Sequence, residues 1–221
     1  TGVMVTRFID GAQTMSPAAF KLNEGAPARA GEAFRKLHTS GAVFPFRFYL
    51  FSMIDDYLKI LSTKDVLLPK GYHDVLREAE EIRTALSHRP APLVASHCDP
   101  LCENFLDTGE RMWIVDWEYS GMNDPMWDLG DLAVEGKFDE RQEDEMLNAY
   151  FSGEPKPAER GRVVIYKAMC DLLWTLWGLI QLANANPVDD FRTYADGRFQ
   201  RCRKLMQTKD FARHVEAVRN G

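Results

Sequence analysis

Residues 97–119 read HCDPLCENFLDTGERMWIVDWEY, with Asp99, then Asn104 five positions later and Asp116 twelve positions after that. Two short β-prone runs lie on either side of an Asp-Thr-Gly turn in this stretch, which predicts a β-hairpin over residues 105–115. The hairpin would turn the chain back towards its own start. The sequence therefore predicts that Asn104 and Asp116 can reach a single ion beside Asp99.

The spacing of these side chains is that of a phosphotransferase catalytic loop, His97-x-Asp99-x4-Asn104, followed by Asp116. A hydroxyl that attacks a γ-phosphoryl group must be oriented and must lose its proton, and Asp99 is the candidate for both tasks. Magnesium prefers hard oxygen ligands, which Asn104 and Asp116 would supply. The stretch thus predicts an enzyme that uses ATP and Mg²⁺.

A zinc site is the competing interpretation of the same loop, with His97, Cys98, Asp99 and Cys102 as ligands. Their spacing fits no common structural zinc pattern. The phosphotransferase interpretation also uses Asn104 and Asp116, which a zinc site would leave unexplained. It is therefore favoured.

Composition narrows the class of protein. The chain has 221 residues, of which 45% are hydrophobic and 27% charged, with a formal net charge of −6. No basic stripe is present, which argues against a nucleic-acid partner. The longest apolar run, 172–180, is too short to span a membrane. The four cysteines, at 98, 102, 170 and 202, form no CxxC pair, which favours reduced thiols and a cytoplasmic location.

Periodicity predicts a mostly helical chain. Residues 32–38, 48–61 and 72–88 have helical spacing, and the last of these is clearly amphipathic. Asn123-Asp124-Pro125 resembles a helix start, and the chain from there to Gly221 is predicted to be helical. Breaks are expected near Gly153–Pro157 and Asn184–Pro187. The predicted class is α+β, mostly α-helical, with a short β-hairpin that carries Asp116.

Longer stretches resemble the choline/ethanolamine kinase family, which is related to the aminoglycoside phosphotransferases and more distantly to the protein kinases. The stretches are SHCDPLCENFL (96–106), IVDWEYSGMNDPMWDLGDLAVE (114–135), AFRKLH (33–38), LLWTLWGLIQ (172–181) and TYADGRF (193–199). The resemblance implies the C-terminal lobe of a protein-kinase-like fold. Residues 1–11 would be the last strand of the N-terminal lobe and the hinge, and residues 12–221 the helical catalytic and substrate-binding lobe.

The resemblance also implies roles for individual residues. Asp99 matches the catalytic base, and Asn104 and Asp116 match the magnesium ligands. His97 matches a catalytic-loop histidine with a structural role, and Asp128 matches a helix Asp that braces the loop by hydrogen bonds.

The loop departs from the family pattern at two positions. Where the family more often has Asn-Asp-Leu, this chain has Cys98-Asp99-Pro100. Pro100 restricts the backbone directly after the predicted base.

An aromatic box is predicted from the second half of the chain. Trp174 and Trp177 are three residues apart and so lie on one face of a helix. Aromatic faces hold a quaternary ammonium, which has no N–H to donate. The resemblance implies that Trp174, Trp177 and Tyr194 form such a box, with Glu135 adding negative charge. Trp117 and Tyr119 are weaker candidates. The competing interpretations are that the Trp pair is ordinary core and that Glu135 is a solvated helix residue.

The nucleotide is expected to meet the start of the chain. Residues 2–9 are β-rich, and backbone groups of Arg7, Phe8 and Ile9 are predicted to contact adenine. No GxGxxG loop occurs in the sequence, so the phosphate-covering elements of a kinase are expected upstream of Thr1, in a longer enzyme. The 221 residues alone are then predicted to be inactive. A natural truncated homologue that binds without catalysis is the alternative.

The sequence therefore predicts ATP- and Mg²⁺-dependent phosphorylation of the hydroxyl group of a small amino alcohol. Choline is favoured, because a full aromatic box suits a methylated cation. The alternatives are ethanolamine, thiamine or an aminoglycoside as substrate, and a non-catalytic ligand-binding module. The expected partners are ATP and the small-molecule substrate, with no nucleic acid and no membrane, and the oligomeric state is left open.

Overall fold

The structure is a computed structural model that describes residues 6–221. The α-helices are α1 (Pro17–Leu22), α2 (Ala26–His38), α3 (Leu50–Leu61), α4 (Tyr72–His88), α5 (Met126–Glu135), α6 (Glu140–Phe151), α7 (Pro157–Ala183), α8 (Phe191–Met206) and α9 (Lys209–Asn220). The strands are β1 (Gln13–Thr14), β2 (Val94–Ser96), β3 (Phe105–Asp107), β4 (Met112–Ile114) and β5 (Gly121–Asn123). The predicted class, mostly helical with small sheets, is confirmed.

Two small antiparallel sheets hold residues 97–119 in place. One has the order β1-β3-β4, and in it Phe105 pairs with Ile114. The other joins β2 to β5, with Ser96 opposite Gly121. The predicted hairpin over residues 105–115 is therefore confirmed. Together the sheets fix both ends of the loop 97–104 and both ends of the segment 115–120.

The core is organised around α7, which packs against α3, α5, α8 and α9. This helix is long and apolar enough to cross a membrane, but 78% of its most apolar window is buried inside the protein. Its hydrophobicity is that of a central core helix, surrounded by other helices on most sides.

Local signals explain most helix ends. Helix α4 has the predicted bounds, and both predicted breaks separate helices, since α6 ends before Pro157 and α7 ends before Asn184. Ser152 ends α6 in the left-handed region, and the side chain of Asp190 caps α8 by accepting the N–H of Thr193 at 3.1 Å. Pro157 occupies the first turn of α7, where its missing N–H is tolerated.

The start of the chain differs from the prediction. Of the predicted strand 2–9, residues 2–5 lie outside the described residues, and residues 6–9 are not in a strand. The strand is instead Gln13–Thr14, which pairs with Leu106 and Asp107 of β3. A strand needs a partner edge, and β3 offers its free edge to residues 13–14.

Helix α1 and the first two turns of α2 were also missed, although the signals are present. Ser16 caps α1 by accepting the N–H of Ala19 at 3.1 Å, and Pro17 follows it. Pro27 lies in the first turn of α2.

Gly130→Ala is expected to destabilise the protein by about 1–3 kcal/mol, as overpacking does. A Cβ at Gly130 of α5 would lie 2.8 Å from the carbonyl oxygen of Val163 and 3.0 Å from the Cβ of Tyr166, both in α7. The two helices would have to move apart. Thermal unfolding followed by circular dichroism measures the fall in Tm.

The matched control is Gly197→Ala in α8, where a new Cβ meets no atom within 4 Å. Alanine favours a helix over glycine by about 1 kcal/mol, so this variant is expected to keep or slightly raise the Tm. Equal losses of Tm in the two variants would contradict the close approach of α5 and α7.

Candidate active site

The loop that carries Asp99 is held by its backbone. Asp128, in the first turn of α5, accepts the N–H of His97 at 2.7 Å and the N–H of Cys98 at 2.8 Å. The indole N–H of Trp127 donates to the carbonyl oxygen of Cys98 at 3.0 Å. Cys98 has φ = +70°, a strained value for a residue with a Cβ. These bonds hold the strained turn in place directly before Asp99.

Asp128 joins this loop to two further helices. Its Oδ2 lies 3.0 Å from Nε2 of His38, the last residue of α2, and Nδ1 of His38 lies 2.9 Å from the Tyr150 hydroxyl in α6. All three side chains are buried or half-buried. The stretch that ends in His38 resembles the family, but no role was predicted for this residue from the sequence. Its position at the end of an amphipathic run was the available signal.

Asp99 is half-buried, and its surroundings change its acidity. Burial is the largest cause that raises the pKa of its carboxyl, and the negative charge of Glu135 adds to it. The charges of Asp116 and Glu118 act in the same direction and that of Arg198 opposes them, which leaves the pKa at about 7. A carboxylate with this pKa can accept a proton near neutral pH, as a general base must.

Asn104 and Asp116 lie at the two ends of the hairpin that begins with β3. The side chain of Asn104 donates through Nδ2 to the backbone carbonyl of Asp99 at 3.0 Å. The backbone carbonyl of Asn104 accepts the N–H of Val115 at 2.9 Å. Asp116, the next residue, is exposed and has φ = +63°. The ring of His97 donates through Nε2 to the carbonyl of Val115 at 2.8 Å. The fold thus brings the three residues Asp99, Asn104 and Asp116 to one place.

The donor set at this place fits a magnesium ion. An amide oxygen from Asn104 and a carboxylate from Asp116 are hard ligands, and magnesium usually takes only one or two ligands from the protein. Within residues 6–221 no three His, Cys, Asp or Glu side chains form a cluster that could hold a metal. This speaks against the zinc interpretation of His97, Cys98, Asp99 and Cys102.

Four of the predicted aromatic residues and Phe191 form one cluster, which we call the cage: Trp174, Trp177, Tyr194, Tyr119 and Phe191. The ring of Trp177 lies 6.5 Å from that of Trp174 and 5.8 Å from that of Tyr194, both edge to face. The ring centroids of Tyr119 and Trp174 are 5.9 Å apart, and those of Phe191 and Trp177 are 5.6 Å apart. Phe191 was missed by sequence analysis, although it lies one turn before Tyr194 in α8.

Trp117 belongs elsewhere. Its aromatic neighbours are His97, at 5.1 Å between ring centroids, and Phe44, at 6.4 Å. It lines a cavity of about 450 Å³ between α2 and the hairpin. Trp117 is thus placed outside the cage, whereas Tyr119 lies within it.

Charged side chains surround one end of the cage. Glu135 pairs with Arg198 of α8, whose guanidinium lies 4.7 Å from the ring centroid of Tyr194. Arg198 also donates to Asp171 at 3.1 Å, and Arg201 pairs with the same carboxylate at 2.7 Å. Glu135 is therefore neither solvated nor a free negative charge, because it carries a buried ion pair. Sequence analysis missed Arg198 and Asp171, which lie within one turn of predicted cage residues.

Tyr57 of α3 is half-buried and was not predicted as a site residue. Burial is the largest cause that raises the pKa of its hydroxyl to about 12, and Tyr119 and Asp99 contribute in the same direction.

The residues predicted to contact adenine are mostly exposed. Phe8 is 83% exposed, and Arg7 is exposed as well. The carbonyl of Ile9 accepts the N–H of Ala12 at 3.4 Å in a turn. No hydrogen bond or aromatic contact among residues 6–221 joins Arg7, Phe8 or Ile9 to the loop 97–104. Their contact with adenine stays a prediction.

Known proteins resemble this chain in sequence and fold. The phosphotransferase enzyme family (APH) matches residues 1–160. A crystal structure of a choline/ethanolamine kinase family protein from Mesorhizobium loti is 77% identical, with a TM-score of 0.97 over all of this chain and 76% of that one. The choline kinase LicA from Streptococcus pneumoniae is 26% identical, with a TM-score of 0.77 over 90% of this chain and 68% of that one.

Protein LicA of Haemophilus influenzae is 27% identical over 220 residues, which cover 94% of this chain and 78% of the relative. The match to the phosphotransferase family covers more than half of the chain, and these likenesses confirm the protein-kinase-like fold. The chain belongs to the phosphotransferase enzyme family and, within it, to the choline/ethanolamine kinase family.

Proposed function

We propose that this phosphotransferase transfers the γ-phosphoryl group of ATP to the hydroxyl of choline. The observation that carries the proposal is the position of the cage beside Asp99. The indole N–H of Trp127 donates to the carbonyl oxygen of Cys98, directly before Asp99, at 3.0 Å, and the ring centroid of Trp127 lies 6.4 Å from that of Trp174 in the cage. Tyr119 is itself a wall of the cage, at 5.9 Å from Trp174. A cation in the cage would place a short alcohol arm near Asp99.

The chemistry of the cage favours choline over ethanolamine. Each aromatic face contributes about 0.5–2 kcal/mol to the binding of a cation, without needing a hydrogen-bond donor. The primary ammonium of ethanolamine would need acceptors to replace its water. The nearby carboxylates of Glu135 and Asp171 are engaged by Arg198 and Arg201. An aminoglycoside, with several ammonium groups, would need carboxylates that are not already paired with arginine.

Asp99 is proposed to orient the substrate hydroxyl and to receive its proton. The alcohol oxygen forms the new P–O bond, the bond to ADP breaks with its electron pair on ADP, and the proton passes to the Asp99 carboxylate. A pKa of about 7, caused first by burial and then by Glu135, suits this transfer. The hydrogen bonds of Asp128 and Trp127 hold the strained turn at Cys98, directly before Asp99, in place before substrate arrives.

Asn104 and Asp116 are proposed to hold magnesium. The bound ion would neutralise the negative charge of the phosphate oxygens. The bond from Asn104 Nδ2 to the Asp99 carbonyl turns its amide oxygen away from that carbonyl and leaves it available as a ligand. The left-handed backbone at Asp116 directs an exposed carboxylate out of the end of the hairpin.

A panel assay tests the substrate directly. ATP turnover of the full-length enzyme is measured with choline, ethanolamine, thiamine and kanamycin in parallel. The highest kcat/KM is expected for choline, and a higher value for any other compound would overturn the choice of substrate.

Asp99→Asn is expected to lower kcat by about a hundredfold or more, because general-base catalysis contributes on that scale. Nucleotide affinity should change little, since Asn104 and Asp116 remain. Turnover is measured by coupled assay and nucleotide affinity by calorimetry. Glu103→Gln is the control, because Glu103 is an exposed acid in the same loop. Near-normal turnover in Asp99→Asn would refute the assignment of the base.

Asp116→Ala is expected to raise the Mg²⁺ concentration needed for half-maximal rate and to weaken nucleotide binding, since one of two protein oxygens is lost. A magnesium titration at fixed ATP measures the first effect. Glu110→Gln, an exposed acid at the hairpin turn, should leave the titration curve in place. An unchanged magnesium requirement in Asp116→Ala would count against its role.

Trp177→Ala is expected to raise the KM for choline by about tenfold and to leave the KM for ATP nearly constant. Trp177→Phe should be milder, because a ring face survives. Steady-state kinetics with each substrate varied in turn separates the two constants. If Trp177→Ala lost only soluble protein, while the folded remainder kept its choline affinity, Trp177 would be a core residue and not part of the binding site.

A further inference from the structure

Asp131 is a buried carboxyl that the proposed function does not use. It lies on α5, one turn after Asp128, and is 1% exposed. Its Oδ2 accepts the indole N–H of Trp174 at 3.2 Å. Its Oδ1 is fully enclosed and has no hydrogen-bond partner among the residues that the structure describes. A buried carboxylate oxygen in this condition is costly unless something compensates it.

The charges around Asp131 provide that compensation only in part. Burial is the largest cause that raises its pKa well above the usual range, and the charges of Glu135 and Asp99 act in the same direction. Arg198 lowers it, but the guanidinium donates to Glu135 and Asp171, and its buried Nε–H has no partner among the described residues. Asp131 is therefore a carboxyl that lacks a counter-ion of its own and lies against one wall of the cage.

We propose that Asp131, acting through the indole of Trp174, gives the cage its preference for a cation over a neutral ligand of the same shape. Asp131 is then a specificity-determining residue that does not touch the substrate. The inference rests on the proposed function, because it takes Trp174 as a wall of the binding site.

Two physical effects support this role. With its pKa raised, Asp131 is protonated when the cage holds no ligand, and a cation in the cage favours its ionised form. The carboxylate formed in this way attracts the cation directly, through an interior where charges are weakly screened. It also polarises the indole N–H that it accepts, which makes the ring face more negative towards the cation. A neutral ligand does not ionise Asp131, so it gains from neither effect.

The alternative is a purely structural role, in which Asp131 only orients the ring of Trp174. Asp131→Asn separates the two roles, because the amide has the shape of the carboxyl and its oxygen still accepts the indole N–H. An orienting role survives this substitution, whereas a role of the charge does not.

The test compares two ligands of one shape. Choline carries a quaternary nitrogen, and 3,3-dimethylbutan-1-ol has a neutral carbon in its place. Dissociation constants of both are measured by calorimetry on the full-length enzyme and on Asp131→Asn. The Kd for choline is expected to rise about tenfold, a change of about 1.4 kcal/mol, while the Kd for the neutral alcohol stays constant. Asp196→Asn, which removes an exposed charge from α8, should change neither constant.

The outcomes are distinguishable. If the wild-type enzyme prefers choline and Asp131→Asn keeps the same ratio of dissociation constants, only the role of Asp131 is overturned. If the wild-type enzyme binds choline no better than the neutral alcohol, the proposed function fails and this inference fails with it.

A second measurement is made on wild-type protein and does not depend on the folding of Asp131→Asn. The indole N–H resonance of Trp174, assigned in wild-type protein by its loss in Trp174→Phe, should move downfield when choline binds. It should move much less when 3,3-dimethylbutan-1-ol binds. Equal shifts with the two ligands would overturn the proposal, because the hydrogen bond would then not respond to the charge of the ligand.

Discussion

The carboxylate of Asp128 is the constraint on which the site depends. It accepts two successive backbone N–H groups, those of His97 and Cys98, and faces the ring of His38 with the same oxygen that His97 uses. Without it, two buried N–H groups would be left unpaired, at a cost of about 1–3 kcal/mol each. The turn at Cys98 has a positive φ that such bonds must hold. The position of Asp99 therefore follows from a residue on a different element, α5.

The cage shows a second use of charge. Two arginines from α8, Arg198 and Arg201, neutralise the carboxylates of Glu135 and Asp171, so the aromatic faces are what this end of the site offers to a ligand. These pairs also tie α5, α7 and α8 together. Removing one partner of such a buried pair would leave an uncompensated charge and destabilise the protein. Under the proposed function, the site would select a cation by ring faces and by the enclosed carboxyl of Asp131, with little competition from unpaired acidic side chains.

Sequence patterns predicted the parts of the protein that short-range physics controls. The amphipathic stripe of α4, the Asp-Thr-Gly turn of the hairpin and the breaks at proline each depend on residues within one or two turns. The spacing of Asp99, Asn104 and Asp116 was informative for the same reason, since the hairpin between them is local. An interval of three residues placed Trp174 and Trp177 on one face of α7, whereas their role in a box was implied by the family resemblance.

What the sequence by itself determined was the class of fold, the hairpin and the set of residues with phosphotransferase spacing. Only the tertiary structure decided which distant side chains complete the site. His38 reaches Asp128 across 90 positions, and Arg198 reaches Glu135 across 63. The reason is physical. A buried charge must find a partner wherever packing places one, and the packing of α2, α3 and α8 against the centre of the molecule is not written in any local period.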